Sequence, residues 1–558
     1  MEEKIRLEMS DWLYNVGLVG LINILEHSND VLRLDKNYAE INATCLENFE
    51  EKYFRFLFDK YGMFTVYSEI IGYREILENY LNSLEGIDEK KLDSLNKIID
   101  YVKSKINRNS YKAAYPYIMH EIDLLKEEKK LKKLKLNKGQ EISVIRPEIK
   151  FQLELLISII EYMSTKETKR YLMAKDFIYS FTNAFLSGVA VWGKTEASKD
   201  PYKVYKNYFI DSVNNYMKNN KDKYKFKCTV CDRPVKGIKV KNESYDLTWV
   251  NGTGVDGSRK SSHYWNYNND TAICPICNLV YSCIPAGFTF INGKGFFINN
   301  NNNLIELHKV NKFQIDKGTK IEDLETLSYY NVLDSMEQNN IFSMDSEIQN
   351  IQVVKYDNDN LLRPYTFNIL SKRMLYVIYK NKDTIKKLLN LKVKVGKDYW
   401  INVYQEVIKR LYNNESQFDL IGDLFKYNVS SYYLYLILNL NTDFIGGRME
   451  LSQKDEFKRK VDLSRYFGLQ LRESYLIKGN EKKIEGISYR LLNAIKTKNS
   501  SRFADILINA HMYVEKEVPS IFIDTLKEKE LLQSFGYGFL LGLQGTSKKN
   551  NNESKEDK

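Results

Sequence analysis

The sequence predicts an α+β protein, with a mixed amino-terminal region that carries an inserted cysteine-knuckle lobe and an all-α carboxy-terminal helical bundle. Three observations predict this. Two C-x-x-C pairs, Cys228/Cys231 and Cys274/Cys277, lie in a stretch of short strands and Gly-containing turns. The residues before them mix helical and alternating hydrophobic patterns. From about Pro364 onward, apolar residues recur at helical spacing with short connections, the signature of antiparallel helical packing.

A length of 558 residues leaves room for three or four domain-sized units. Hydrophobic residues at 43% and charged residues at 28% are ordinary for a globular protein and exclude disorder throughout. Scarce Gly (27) and Pro (8) argue against low-complexity architecture. The net charge of +10 permits contact with a polyanion without requiring one. The many Tyr, Lys, Ile and Asn residues fit an AT-rich coding genome, and the aromatics also offer stacking surfaces for bases. The start, MEEKIRLEMSDW, lacks a basic segment followed by an apolar core, so a cytoplasmic location is expected. The longest charge-free stretch, Phe177 to Gly193, is too short and too polar to span a membrane and reads as a buried helix.

In sequence order, Ser10-Asp11 ahead of WLYNVGLVGLINILEH reads as a capped helix start. Gly17 and Gly20 inside it cost stability unless another backbone packs closely there. DVLRLDKNYAEIN suggests a short hairpin, and ENFEEKYFRFLFDKYG returns to helical periodicity. Lys126 to Lys138 reads as a solvated helix end with Leu131 and Leu134 inward; its functional alternative is a phosphate-contacting strip. Asn251 to Ser262 is a flexible loop by composition, and the five-Asn run Asn299 to Asn303 marks a surface loop. The expected divisions are a mixed domain over 1–225, a metal-binding lobe over 226–298, a connecting segment over 299–363, a helical bundle over 364–547 and a disordered tail over 548–558.

Two residues between thiolates let one turn present both sulfurs to one metal, and two such knuckles complete a tetrahedral tetra-thiolate site suited to Zn²⁺. Cys228, Cys231, Cys274 and Cys277 are therefore the predicted ligands of one structural zinc per molecule. Both knuckles read as a strand running into a turn. No thioredoxin-like βαβ pattern surrounds either pair, which argues against redox chemistry. Cys45 and Cys283 have no matching partners and read as buried small hydrophobes.

Nothing points to catalysis. Between the pairs there is one histidine, His263, and a His-Asn-His nuclease needs more than that. The others, His27, His120, His308 and His511, are scattered, and no Walker loop, G-x-S-x-G or H-E-x-x-H occurs. A binding or scaffold role is expected. A stand-alone zinc-containing nucleic-acid-binding regulator and a cryptic nuclease remain as alternatives.

EMSDWLYNVGLVGLINIL, the two mid-sequence C-x-x-C pairs and the terminal SFGYGFLLGL together resemble the CXXC–CXXC branch of CRISPR-associated large subunits, the Cas-eight-type proteins of type I-B Cascade complexes. The resemblance implies a noncatalytic subunit of a crRNA-guided complex that reads the protospacer-adjacent motif on target double-stranded DNA and helps open it. It implies the other Cascade subunits (backbone, guide-end-capping and small) and a recruited helicase–nuclease as partners, with no membrane. Only the four cysteines carry over residue by residue.

Two cationic features could meet nucleic acid. Arg259 and Lys260 lie near Tyr264 and Trp265, so cations and aromatics interleave; the aromatics could equally pack over the zinc lobe. From Lys454 to Lys498, twelve Lys or Arg face six acids, and Lys458, Arg465 and Arg472 recur every seven residues on one helix face. Systems related to the resembled family make a separate small subunit from the end of the large-subunit gene. Met449, just after Gly446-Gly447-Arg448, is suitably placed to start one.

Overall fold

The computed structural model describes residues 4–30, 32–118, 122–136, 141–238, 240–252, 272–301, 303–319, 351–360, 364–370, 372–396, 399–427, 429–526 and 529–545. The molecule divides into two compact units, Met1–Ser335 with Ile351–Phe367, and Met336–Asn350 with Asn368–Lys558.

The first unit opens with strand β1 (Lys4–Glu8), followed after the first helix by the hairpin β2 (Leu32–Leu34) and β3 (Tyr38–Asn42). They form an antiparallel sheet in the order β1-β3-β2. The register sets Ile5 opposite Ile41 and Leu7 opposite Ala39, and all four residues are buried. The first helix, Trp12–His27, begins where Asp11 accepts hydrogen bonds from the Leu13 and Tyr14 amides at 2.9 and 3.1 Å. It is buried over most of its circumference, as an all-round apolar helix must be. The close approach that its glycines demand is present. A Cβ on Gly17 would lie 2.3 Å from the Val280 carbonyl oxygen, and one on Gly20 2.0 Å from that of Cys283. The helix Phe49–Tyr61 follows the predicted periodicity and anchors through the Tyr61 hydroxyl, which donates to the Phe288 carbonyl at 2.7 Å.

The lysine-rich stretch begins in a helix, Leu124–Lys130, which ends at Leu131 in extended backbone. Leu131 and Leu134 are buried, and the Leu134 backbone is paired with the Asn96 carboxamide. Two predicted features differ. The helix that begins at Lys166 ends at Ser180, and short 3₁₀ turns follow at Thr182–Ala184 and Ala190–Trp192. Thr182, whose hydroxyl accepts from the Trp192 indole at 2.7 Å, and the left-handed backbone at Gly188 and Ala190 favour the turns over a continued helix. The Asn run is no simple surface loop, because Asn299 and Asn300 are buried. Asn15 donates to both Asn299 and Asn301, and Asn299 donates to Gln352. Amides that satisfy one another can enter a core that composition alone reserves for apolar groups.

Two short strands, β4 (Phe226–Lys227) and β5 (Pro234–Val235), make a small hairpin. A four-stranded sheet of β6 (Thr289–Ile291), β7 (Lys294–Asn299), β8 (Ile351–Asp357) and β9 (Tyr365–Leu370) then runs in sequential order. Asn292 and Gly293, both at positive φ, make the tight turn between β6 and β7.

The second unit is mainly helical, as expected for the carboxy terminus. Strands nevertheless interrupt the region that periodicity assigns to helices: β9 takes up the YTFNIL segment, and β10 (Lys392–Lys394) pairs with β11 (Trp400–Asn402). The long helix Leu451–Ile477 packs along the closing helix Lys529–Gln544. A Cβ on Gly468 would lie 2.1 Å from the Phe539 carbonyl oxygen, and one on Gly542 2.0 Å from that of Arg465. Among the described residues, no helix is long and apolar enough to cross a membrane. The expected tail, 548–558, lies outside the described residues.

Candidate metal centre

The first knuckle closes the β4–β5 hairpin. The Cys228 amide donates to the Arg233 carbonyl at 2.8 Å and the Asp232 amide to the Cys228 carbonyl at 3.0 Å. Asp232 takes the left-handed conformation, which a short polar residue tolerates. The second knuckle differs from its predicted strand-and-turn form: Cys274 caps the helix Pro275–Ser282, and Pro275 occupies its first turn, where a missing N–H costs nothing. The Thr229 amide, donating to the Ala272 carbonyl at 3.0 Å, ties the two arms together.

This brings the four sulfurs of Cys228, Cys231, Cys274 and Cys277 within 4.8 Å of one another. Cys231 and Cys274 approach to 3.6 Å. Metal–sulfur bonds of about 2.3 Å in a tetrahedron put sulfurs about 3.8 Å apart, so the cluster suits one ion. Backbone amides already face the sulfurs: Cys274 N–H points at the Cys228 sulfur (3.3 Å) and Cys277 N–H at that of Cys274 (3.4 Å). Among the described residues this is the one group of three or more Cys, His, Asp or Glu so placed.

The electrostatics also call for a cation. Hydrogen bonds from the other three sulfurs hold the Cys231 thiol well below the usual range, whereas burial pushes Cys274 and Cys277 well above it. Four thiolates at this spacing repel one another unless a dication lies among them. Burial works against the charge on Arg233, but the sulfurs of Cys231 and Cys274 hold it cationic. Its guanidinium donates to the Arg6 carbonyl, tying the cluster to the edge of the first sheet. With four sulfur ligands no coordination position would be left open, so an ion held here would brace structure. Cys228, Cys274 and Cys277 belong to the hydrophobic core of the first unit, and Cys231 packs against it.

The two remaining cysteines are buried, and burial raises both thiols, Cys283 to about 12. Arg259, Lys260, His263, Tyr264 and Trp265 lie outside the described residues. Lys458 is exposed on the long helix. Arg465 stacks 4.0 Å over the Tyr435 ring, and Arg472 donates to the Leu543 carbonyl at 3.3 Å and to Glu481 at 3.1 Å. The three cations share a face, as their spacing requires, but both arginines already have partners within the second unit.

The role of Arg233 was not legible in the sequence, where it is one cation near a knuckle. The packing role of Gly287 was equally hidden: its Cβ would lie 1.9 Å from the Val16 carbonyl oxygen. An Ala-Gly pair directly after Pro285 was the only trace of it.

Residues 221–289 match the family model described as CRISPR-associated protein (Cas_CXXC_CXXC). The matched segment begins before the first knuckle and ends at the first residue of β6. Neither curated proteins nor solved structures gave a match to this sequence or fold.

Proposed function

We propose that this protein is the noncatalytic large subunit of a type I-B CRISPR surveillance complex and that its cysteine cluster holds one structural Zn²⁺. In that role it reads the protospacer-adjacent motif on duplex DNA, aids crRNA-guided opening of the duplex and recruits the helicase–nuclease in the cytoplasm. The observation that carries this reading is the coincidence of the family match with four sulfurs gathered within 4.8 Å in the same segment. Guide pairing supplies the sequence recognition, so such a protein needs only a modest positive charge. The stand-alone regulator loses ground on one point. The helix opened by the second knuckle is buried at all eight residues and has no face to lay in a DNA groove.

The test is co-purification with tagged neighbouring gene products, followed by RNA extraction. A bound RNA of uniform length carrying a repeat-derived handle is expected; purification as a lone protein without RNA would refute the assignment. Elemental analysis should give one zinc per molecule, and the pure subunit should leave plasmid intact with Mg²⁺ or Mn²⁺.

A further inference from the structure

The β10–β11 hairpin of the second unit is two-faced. Its register pairs Lys392 with Asn402, Val393 with Ile401 and Lys394 with Trp400. Because side groups alternate across a strand, Val393 and Ile401 share one face, and Lys392, Lys394, Trp400 and Asn402 share the other. Val393 is buried, while Trp400 is 54% exposed. The Lys394 ammonium lies 5.8 Å from the Trp400 ring centre. Neither Lys392 nor Lys394 makes an ion pair among the described residues, and both are exposed. The ribbon is held at its base: the Val403 amide donates to the Leu391 carbonyl at 3.0 Å, and the Asn402 carboxamide caps the helix Val403–Tyr412.

Residues 382–402 include six Lys against two Asp, a far denser positive charge than +10 over 558 residues. The preceding helix, Lys382–Leu388, ends with Lys386 and Lys387 exposed. An apolar protein partner would not call for a face that alternates ammonium groups with an indole. A strand with phosphates and unstacked bases answers both chemistries.

We propose that the outer face of this hairpin is a stacking site for single-stranded nucleic acid, with Trp400 taking a base and Lys392 and Lys394 taking the flanking phosphates. This deepens the nucleic-acid role proposed above and rests on it for the choice of occupant. Base-paired duplex is disfavoured because its bases are already stacked.

The test uses the full-length protein and an unlabelled mixed-sequence 20-mer of single-stranded DNA, with heparin as a polyanion that has no bases. Trp400→Ala should weaken binding of the 20-mer about tenfold and leave heparin binding unchanged. Lys392→Ala with Lys394→Ala should weaken both ligands and flatten the salt dependence by about 1.4 in log–log slope for two phosphates. Trp400→Phe, which keeps a stacking ring, should bind the 20-mer within about threefold of the parent. Binding by Trp400→Phe as weak as that of Trp400→Ala, an affinity unchanged in Trp400→Ala, or an equal loss of heparin binding in Trp400→Ala would each overturn the hairpin site. None of these outcomes bears on co-purification with a guide RNA, so the site can fail while the wider function stands.

Discussion

Each unit contains a helix crossing so close that one backbone touches another. In the first, the helix Trp12–His27 meets Pro275–Ser282 and Ile284–Gly287 through Gly17, Gly20 and Gly287. In the second, Leu451–Ile477 meets Lys529–Gln544 through Gly468, Gly538 and Gly542. Glycine is costly in a helix interior, by about 0.5–1 kcal/mol relative to Ala, so three per crossing must be offset by contact that larger residues would prevent. The crossings differ in what holds them in register. The first lies close along the backbone to the candidate metal centre, since Val280 and Cys283 lie three and six residues beyond Cys277. The second has no such cluster among the described residues. It is held by apolar burial and by Arg472, which donates to the carbonyl of Leu543 near the end of the closing helix. The same backbone geometry is thus reached once beside a cysteine cluster able to hold a metal and once, among the described residues, without one.

The largest effect should come from the brace itself. Cys277→Ser replaces a fully buried ligand, and a structural zinc site contributes on the order of 10 kcal/mol in small peptides, comparable with the whole stability of a domain. Metal content and soluble yield should fall together. A variant that keeps its full zinc content and its melting temperature would show that the sulfurs are not ligands. Chelation of the wild-type protein should act more selectively. Hydrogen exchange should quicken in Trp12–His27 and Pro275–Ser282 and stay unchanged in Leu451–Ile477 and Lys529–Gln544. Uniform exchange changes would mean that the two crossings do not differ in the way described.

Next in size are the glycines. Gly20→Ala and Gly542→Ala each drive a methyl against backbone oxygen, and overpacking of this kind costs about 1–3 kcal/mol, here at the upper end because no rotamer can relieve it. Denaturant titration should show similar losses for the two variants. Only Gly20→Ala should also loosen the metal, read as faster zinc release to a chromogenic chelator. Equal release from both variants would break the distinction.

These crossings were partly legible in advance, and the reason is local. Gly17 and Gly20 interrupt an otherwise apolar helix, and only close backbone contact explains that pattern. The knuckles were legible because ligand spacing is a local geometric demand. What could not be read depended on partners distant in sequence. Asn299 and Asn300 look solvated until Asn15 and Gln352 are placed beside them. YTFNIL has an apolar pattern that a helix could also use, and its identity as β9 comes from its neighbour β8 in the four-stranded sheet. Lys458, Arg465 and Arg472 do share a face, but only the tertiary structure shows that Tyr435 and Leu543 occupy the two arginines.

The smallest predicted difference is in acid sensitivity, and it also separates the units. Among the described residues, each holds one buried histidine near its crossing helices: His308 in the first, with Nε2–H donating to Asn23 Oδ1 at 3.0 Å, and His511 in the second, with Nδ1–H donating to the Leu507 carbonyl at 2.8 Å. Burial lowers His308 to about 4, with Glu26 opposing that shift and Lys312 and Lys60 adding to it. Burial also lowers His511, while its hydrogen bond to Leu507 works the other way. An unfolded histidine titrates near 6.5, so above that pH neither state is protonated and the full stability is present. As pH falls from about 6.5 toward 4, the unfolded state binds a proton that folded His308 refuses, and stability declines by about 3 kcal/mol. His308→Gln keeps a donor for Asn23 and removes the titration, so its stability should change less across that window than the parent's. His511→Gln should flatten the same window by a smaller amount. If the His308 variant retains the parental slope in denaturant titrations between pH 4 and 6.5, another group carries the acid sensitivity of the first unit.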